Sequence, residues 1–239
     1  MIREVNLDEI SDGKKYSAND LVKADCNDCK GCFECCCDMG SSIILDPYDI
    51  AMLSNGLGQS FDQLLQGKIE LNIVNGLILP NLAMRRSVQA PVMVKMNQEQ
   101  EEKLDDVSKC NFLDENGRCS IHSFRPGICR LFPLGRVYEN HSFQYFLQTQ
   151  ECTKNNRTKI KVKKWIDLPE LKKYEQFILD WHDMVQAFQK KFGNESSSDQ
   201  IRENNLFLLK TFFQTPYAKE KDFYVQFYER HQHAERILS

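Results

Sequence analysis

The apolar residues of this chain follow two different spacings, and the change falls near residue 165. Beyond that point they recur at alternating steps of three and four residues, which places them on one face of a helix. The members of this face are Leu171, Tyr174, Ile178, Trp181, Val185, Phe188 and Phe192. "DQIRENNLFLLKTFFQ" and "YAKEKDFYVQFYERHQHAERIL" predict two further helices. Residues 166–239 are therefore predicted to be a helical C-terminal extension that packs on the rest of the chain.

Residues 1–165 instead combine short helices with alternating apolar positions that are typical of strands. Asp46 followed by Pro47 predicts the start of a helix, and Ser60 predicts the start of another. "KIELNIVNGLILPNL" predicts a hairpin that turns at Asn75 and Gly76. "CNFLDENGRCSIH" predicts a second hairpin, and "APVMVKM", "SFQYFLQ" and "KIKVKKW" predict strands. The predicted fold class is α+β, with a small irregular cysteine-rich sheet and hairpin core followed by the helical part.

Charge and hydropathy narrow the classes of partner. The net charge is −3, which gives no indication of nucleic-acid binding. No apolar run approaches the roughly 20 residues of a membrane span, so no membrane partner is expected. The first residues, "MIREVNLDEISDGKKYSAND", are polar and lack the apolar segment of a secretory signal. We therefore predict a cytoplasmic location.

The ten cysteines are the main chemical feature of the sequence, and six of them lie in "CNDCKGCFECCCDMG". In a reducing cytoplasm, clustered cysteines bind metal more often than they form disulfides. Cys26, Cys29, Cys32 and Cys35 are separated by two-residue gaps, which let neighbouring sulfurs face one metal. This run lacks the longer last gap and the proline of a bacterial ferredoxin loop. We therefore expect the fold to bring more distant cysteines to it.

Two stretches resemble, in the correct order, the signatures of the YkgJ-type cysteine-cluster family, whose motif is CxxCxxCC. They are "CKGCFECC" and "CNFLDENGRCSIHSFRPGICRLFPLG". The family is regarded as a zinc- or iron-chelating domain with eight characteristic cysteines. The resemblance implies that the metal ligands are Cys29, Cys32, Cys35, Cys36, Cys110, Cys119, Cys129 and Cys152. Cys26 and Cys37 fall outside the motif and are predicted to be dispensable.

Eight thiolates are compatible with two arrangements. One has two four-cysteine metal sites, and the other has one iron–sulfur cluster with four cysteines left for zinc or redox chemistry. The close spacing favours an iron–sulfur cluster, whereas the two-cysteine hairpin favours zinc, and we prefer the iron–sulfur cluster. In either arrangement the metal would hold the α+β part together. Arg118, Arg125 and Arg130 flank the downstream cysteines, where they balance thiolate charge or serve as ordinary surface and core residues.

The first hypothesis for function is a metal-binding protein. The second is a metal-dependent enzyme that modifies proteins or peptides, because some longer relatives are associated with lysine N-methylation of flagellin. The third is a metal- or redox-sensing module that contacts a protein or peptide partner through its C-terminal helices. The basic stretch "TKNNRTKIKVKKW" could bind an acidic partner or phosphate, or be a solvated strand face. Enzymatic activity, substrate and oligomeric state stay open.

Overall fold

The computed structural model describes residues 7–25, 32–86, 107–149, 151–152, 154, 156–192 and 197–238, without the side chain of Phe192. Its helices are α1 (Leu7–Ile10), α2 (Pro47–Leu57), α3 (Phe61–Leu64), α4 (Gly127–Leu131), α5 (Val162–Ile166), α6 (Leu171–Phe192), α7 (Ser198–Leu209) and α8 (Phe223–Leu238). Short 3₁₀ turns span Glu34–Cys36 and His122–Phe124, and a π-helical turn spans Lys210–Gln214. The predicted α+β class is confirmed.

The strands form small antiparallel sheets. They are β1 (Ser11–Tyr16), β2 (Leu21–Asp25), β3 (Ile69–Val74), β4 (Leu77–Leu82), β5 (Met84–Arg86), β6 (Ser108–Cys110), β7 (Leu134–Glu139), β8 (Ser142–Gln148) and β9 (Thr158–Lys161). One sheet has the order β1-β8-β7, and the other three are the pairs β2-β9, β3-β4 and β5-β6. None of the helices in the described part has both the length and the apolar composition that crossing a bilayer requires.

The strongest local signals in the sequence are confirmed. Asp46 caps α2 by accepting a hydrogen bond from the Asp49 amide, and the Asp49 side chain accepts one from the Asp46 amide. Ser60 and Gln63 form the same reciprocal box at α3. β3 and β4 pair without a register shift from Ile69 opposite Leu82 to the turn. These elements follow the sequence because each of them is determined by neighbouring residues.

Three local predictions were wrong in part. The strand predicted in "KIKVKKW" ends at Lys161, because Val162, Trp165 and Ile166 are buried together on one face of α5. The last helix begins only at Phe223. The second hairpin is a tight turn closed by a single bridge between Leu113 and Cys119. The strand predicted in "APVMVKM" lies outside the described residues.

Two buried clusters hold the molecule together, and each takes residues from both sides of residue 165. The larger one joins α2, the β3-β4 hairpin and the C-terminal helices, with edge-to-face ring contacts such as Phe177 with Phe227 at 4.7 Å. The smaller one joins β2 and β8 to α5, around Val22, Tyr145 and Val162. The helical part therefore packs on the N-terminal part, and the boundary at residue 165 stays a prediction.

Asn205 connects α7 to the β3-β4 hairpin. Its Oδ1 accepts a hydrogen bond from the Ile78 amide at 2.6 Å, and its Nδ2 donates to the Gly76 carbonyl at 3.2 Å. The residue is 4% exposed, so its removal would leave both backbone groups without their protein partner. We predict that Asn205→Ala lowers the free energy of unfolding by about 2–4 kcal/mol, measured by chemical denaturation.

Asn204→Ala is the matched control, because this neighbour on α7 is only partly buried. An equal loss in both variants would mean that helix propensity, rather than the tie to the hairpin, determines the effect.

Candidate metal centre

Five of the eight predicted ligands come from four separate segments of the chain. Cys35 and Cys36 lie in the 3₁₀ turn Glu34–Cys36, and Cys110 ends β6. Cys119 closes the tight turn after β6, and Cys129 lies in the middle of α4. The following contacts bring these four segments together.

The 3₁₀ turn is fixed beside β6 by backbone pairing. Cys37 forms an antiparallel bridge with Lys109. The Asp38 amide donates to the Ser108 carbonyl at 2.8 Å, and the Ser108 amide donates to Asp38 Oδ1 at 2.8 Å. The segment that carries Cys35 and Cys36 therefore runs along the strand that ends in Cys110.

Phe33 joins the turn that carries Cys119 to the same assembly. A Cβ on Gly117, at the tip of that turn, would lie 2.6 Å from Phe33 Cδ1, so the ring rests directly on the glycine. Lys109 Nζ lies 5.8 Å from the ring centroid. No sequence pattern predicts this role, because Phe33 lies within the motif but in one of its variable positions.

The segment that carries Cys129 is anchored to α2. The Gly127 amide, at the start of α4, donates to Asp49 Oδ1 at 2.7 Å. Asp49 is 3% exposed, and its other oxygen accepts from the Asp46 amide. Arg130, also on α4, donates to the Ser123 carbonyl at 3.0 Å. The position of Cys129 thus depends on a buried carboxylate that is distant in sequence.

The thiols interact electrostatically. The Cys36 thiol donates to Cys35, and this bond is the main cause that lowers the pKa of Cys35 to about 7 and raises that of Cys36. Burial raises the pKa of Cys129 well above its ordinary value, and the charges of Cys110, Cys119 and Cys35 raise it further. Burial also raises the pKa values of Cys110 and Cys119. Such thiols stay protonated unless a cation stabilises their thiolates.

This donor set fits a thiophilic metal. Soft thiolates are the ligands that zinc and iron–sulfur centres take, and burial supplies the dry surroundings such centres occupy. Among the described residues, however, no three His, Cys, Asp or Glu side chains converge closely enough to hold one ion. The described cysteines are all free thiols. The segments are thus neighbours, and the complete ligand set stays a prediction.

The three other predicted ligands are less closely placed. Cys29 lies outside the described residues. Cys32 is described and partly exposed, three residues before Cys35. Cys152 is also partly exposed, and no described contact joins it to the group of five.

The flanking arginines have different roles. Burial raises the pKa of Cys119, and the positive charge of Arg125 opposes that rise. Arg125 also helps to lower the pKa of Cys35, after the Cys36 hydrogen bond. Its Nε is buried without a protein partner in the described part of the chain, and an Nη1 contact reaches His122. Arg130 instead binds backbone carbonyls, so its contacts are structural.

Cys37 differs from its neighbours. Its thiol donates to the Phe33 carbonyl at 3.6 Å, within its own turn. Burial raises the pKa of Cys37, and the nearby Lys109 charge opposes that rise. The residue contributes backbone pairing with β6, which any side chain would allow.

Residues 28–162 match the model of the CxxCxxCC family, which is described as a "putative zinc- or iron-chelating domain". The match covers more than half of the chain, and the two signatures found in the sequence lie within it. The chain therefore belongs to this cysteine-cluster family, as its motifs predicted. No curated protein and no solved structure matches the chain significantly.

Gly127, at the start of α4, is packed closely against Tyr174. A Cβ there would overlap the Tyr174 hydroxyl and would lie 3.2 Å from Tyr174 Cζ. Gly127→Ala is therefore expected to destabilise the protein by about 1–3 kcal/mol through overpacking. Chemical denaturation measures this loss.

The second variant tests the cause. Tyr174→Phe removes a buried hydroxyl that makes no hydrogen bond of good geometry within the described structure but lies beside the Arg136 guanidinium, so alone it should cost less stability than Gly127→Ala. Combined with Gly127→Ala it should restore most of the lost stability. Strict additivity of the two changes would contradict the proposed overlap.

Proposed function

We propose that the protein is a cytoplasmic metal-binding protein whose eight motif cysteines chelate an iron–sulfur cluster, zinc or both. The observation that carries this proposal is that five motif cysteines from four chain segments lie near enough to one another for their charges to shift each other's pKa values. Membership of a family described as zinc- or iron-chelating supports the same chemistry. The free thiols are consistent with a reducing compartment.

Positive side chains near the cysteines would balance the negative charge of a metal–thiolate site. Several thiolates around a metal carry net negative charge, which a nearby guanidinium stabilises. Arg125 lies within electrostatic range of Cys35 and Cys119, and Arg118 lies within range of Cys119. The motif thiolates would therefore hold the metal, and the positive charges of Arg118 and Arg125 would balance the negative charge of the site.

We favour an iron–sulfur cluster over zinc because of the short gaps between Cys29, Cys32 and Cys35. Anaerobic purification followed by elemental analysis and visible absorption spectroscopy distinguishes the two metals. Stoichiometric iron and acid-labile sulfide with visible thiolate-to-iron absorption would support the cluster. A colourless protein with stoichiometric zinc would establish zinc in its place, and wild-type protein that is fully folded without metal would overturn the whole proposal.

The individual ligands are tested by serine variants. We predict that Cys36→Ser and Cys129→Ser each lose most of the bound metal, because a neutral hydroxyl replaces a thiolate ligand. Both variants should also be less soluble, since metal-binding free energy contributes to folding. Elemental analysis of the purified variants gives the metal content.

Cys37→Ser is the matched control, because it lies next to Cys36 but its thiol bonds to a backbone carbonyl. It should retain wild-type metal content. If Cys37→Ser loses as much metal as Cys36→Ser, the division between motif and non-motif cysteines is wrong.

Arg125 gives a prediction about pH. In Arg125→Gln the cation that opposes the raised pKa of Cys119 is lost, so protons compete better for the thiolates. Metal affinity should fall by roughly tenfold or more, as for other residues that support metal ligands. The difference in metal affinity between Arg125→Gln and wild-type protein should become smaller as pH rises, because the thiols then ionise without a nearby cation. Competition with a chromophoric chelator over a pH series measures both effects.

Arg202→Gln, an exposed position on α7, removes the same charge away from the cysteines. It should leave affinity unchanged at every pH. A deficit in Arg125→Gln that is independent of pH would indicate that this arginine acts through packing alone.

A further inference from the structure

The β2-β9 sheet has one buried face and one basic face. Val22 is 1% exposed and lies opposite the partly buried Ile160, and both contact the smaller core cluster. Because side chains alternate along a strand, the neighbouring residues point away from that core. The exposed lysines of the sheet are Lys23, Lys159 and Lys161.

α5 follows β9 directly and buries Val162, Trp165 and Ile166. Its Lys163 and Lys164 are exposed as well. We call the three exposed lysines on the outer face of the sheet, Lys23, Lys159 and Lys161, the lysine face.

The positive charge of the lysine face is not neutralised by ion pairs within the described part of the chain. None of its lysines forms an ion pair with another residue of the described chain. The acids at the two ends of β2 have other contacts, since Asp20 accepts from Ser17 and Asp25 accepts from Thr158. Like charges on neighbouring strands repel each other, so this arrangement is unfavourable in the isolated protein. A ligand that carries negative charge would relieve the repulsion.

Leu21 adds an exposed apolar side chain at one end of the lysine face. It is the first residue of β2 and pairs with Lys161 across the sheet, so the two side chains share a face, and it is 56% exposed. Solvated lysines alone would protect a sheet edge without an exposed leucine beside them. An apolar side chain next to cations matches a ligand in which an apolar residue is flanked by acids.

We propose that the lysine face binds an acidic segment of a partner protein, with carboxylates over the lysines and an apolar side chain on Leu21. Nucleic acid fits less well, because the lysines and Leu21 offer no aromatic ring for base stacking and the whole chain carries a net charge of −3. This inference goes beyond the proposed metal-binding function and does not depend on it.

The test uses full-length wild-type protein and a fluorescein-labelled peptide in which glutamates flank a central leucine. Fluorescence anisotropy at low salt should show saturable binding that weakens as salt is added. Lys159→Glu/Lys161→Glu should weaken binding by roughly tenfold or more, since attraction becomes repulsion. Replacement of the leucine in the peptide by serine should weaken binding to the wild-type protein.

The matched control is Lys172→Glu/Lys190→Glu, which makes the same change in net charge at exposed positions of α6. It should bind the peptide nearly as well as the wild-type protein. Equal weakening in the two double variants would overturn the proposal, because net charge alone would then explain binding. Absence of peptide binding, or tighter binding of a single-stranded oligonucleotide with the same number of charges, would overturn it as well.

Metal content and circular dichroism are recorded for each variant. Loss of peptide binding by Lys159→Glu/Lys161→Glu with metal and fold intact supports the docking surface. If wild-type protein binds metal but does not bind the peptide, this inference is overturned and the proposed metal-binding function is unaffected.

Discussion

The carboxylate of Asp49 connects the hydrophobic core to the segment that carries Cys129. One of its oxygens completes the capping box of α2, and the other accepts the amide of Gly127 at 2.7 Å. Burial raises the pKa of this carboxyl to about 6, and its two backbone hydrogen bonds and the charge of Arg136 oppose the rise. A buried anion is retained only where such donors replace water. The same contacts that stabilise the anion therefore fix the start of α4 against α2.

The cysteines pose the opposite electrostatic problem. Desolvation favours the neutral thiol at Cys110, Cys119 and Cys129, and each additional thiolate makes the next one harder to form. The protein supplies some compensation through Arg85, Arg118 and Arg125, but burial and the neighbouring thiolates still raise these pKa values. A bound cation removes both penalties together. Desolvated thiols that raise each other's pKa values are therefore more stable as thiolates with a bound cation than without one.

Local chemistry explains which parts could be predicted from the sequence. The caps at Asp46 and Ser60 and the Asn75-Gly76 turn depend on adjacent residues, and the helix of residues 171–192 depends on a long regular period. The end of β9 was missed because the fate of Val162 depends on a core formed with β2 and β8. The contacts of Phe33 with Gly117 and of Asp49 with Gly127 join distant segments, so no local pattern shows them. For the site, the motif indicated the cysteines. The side chains that position them come from distant segments, which only the tertiary fold brings together.

The β2-β9 sheet relates the basic surface to the smaller core cluster. Its inner face belongs to that cluster, where Val22 and Ile160 pack. Its outer face carries lysines that form no ion pair within the described chain. Side chains on strands are positioned more precisely than side chains on loops. The core beneath the sheet therefore fixes the backbone that carries these lysines, which lowers the ordering cost when an acidic ligand binds.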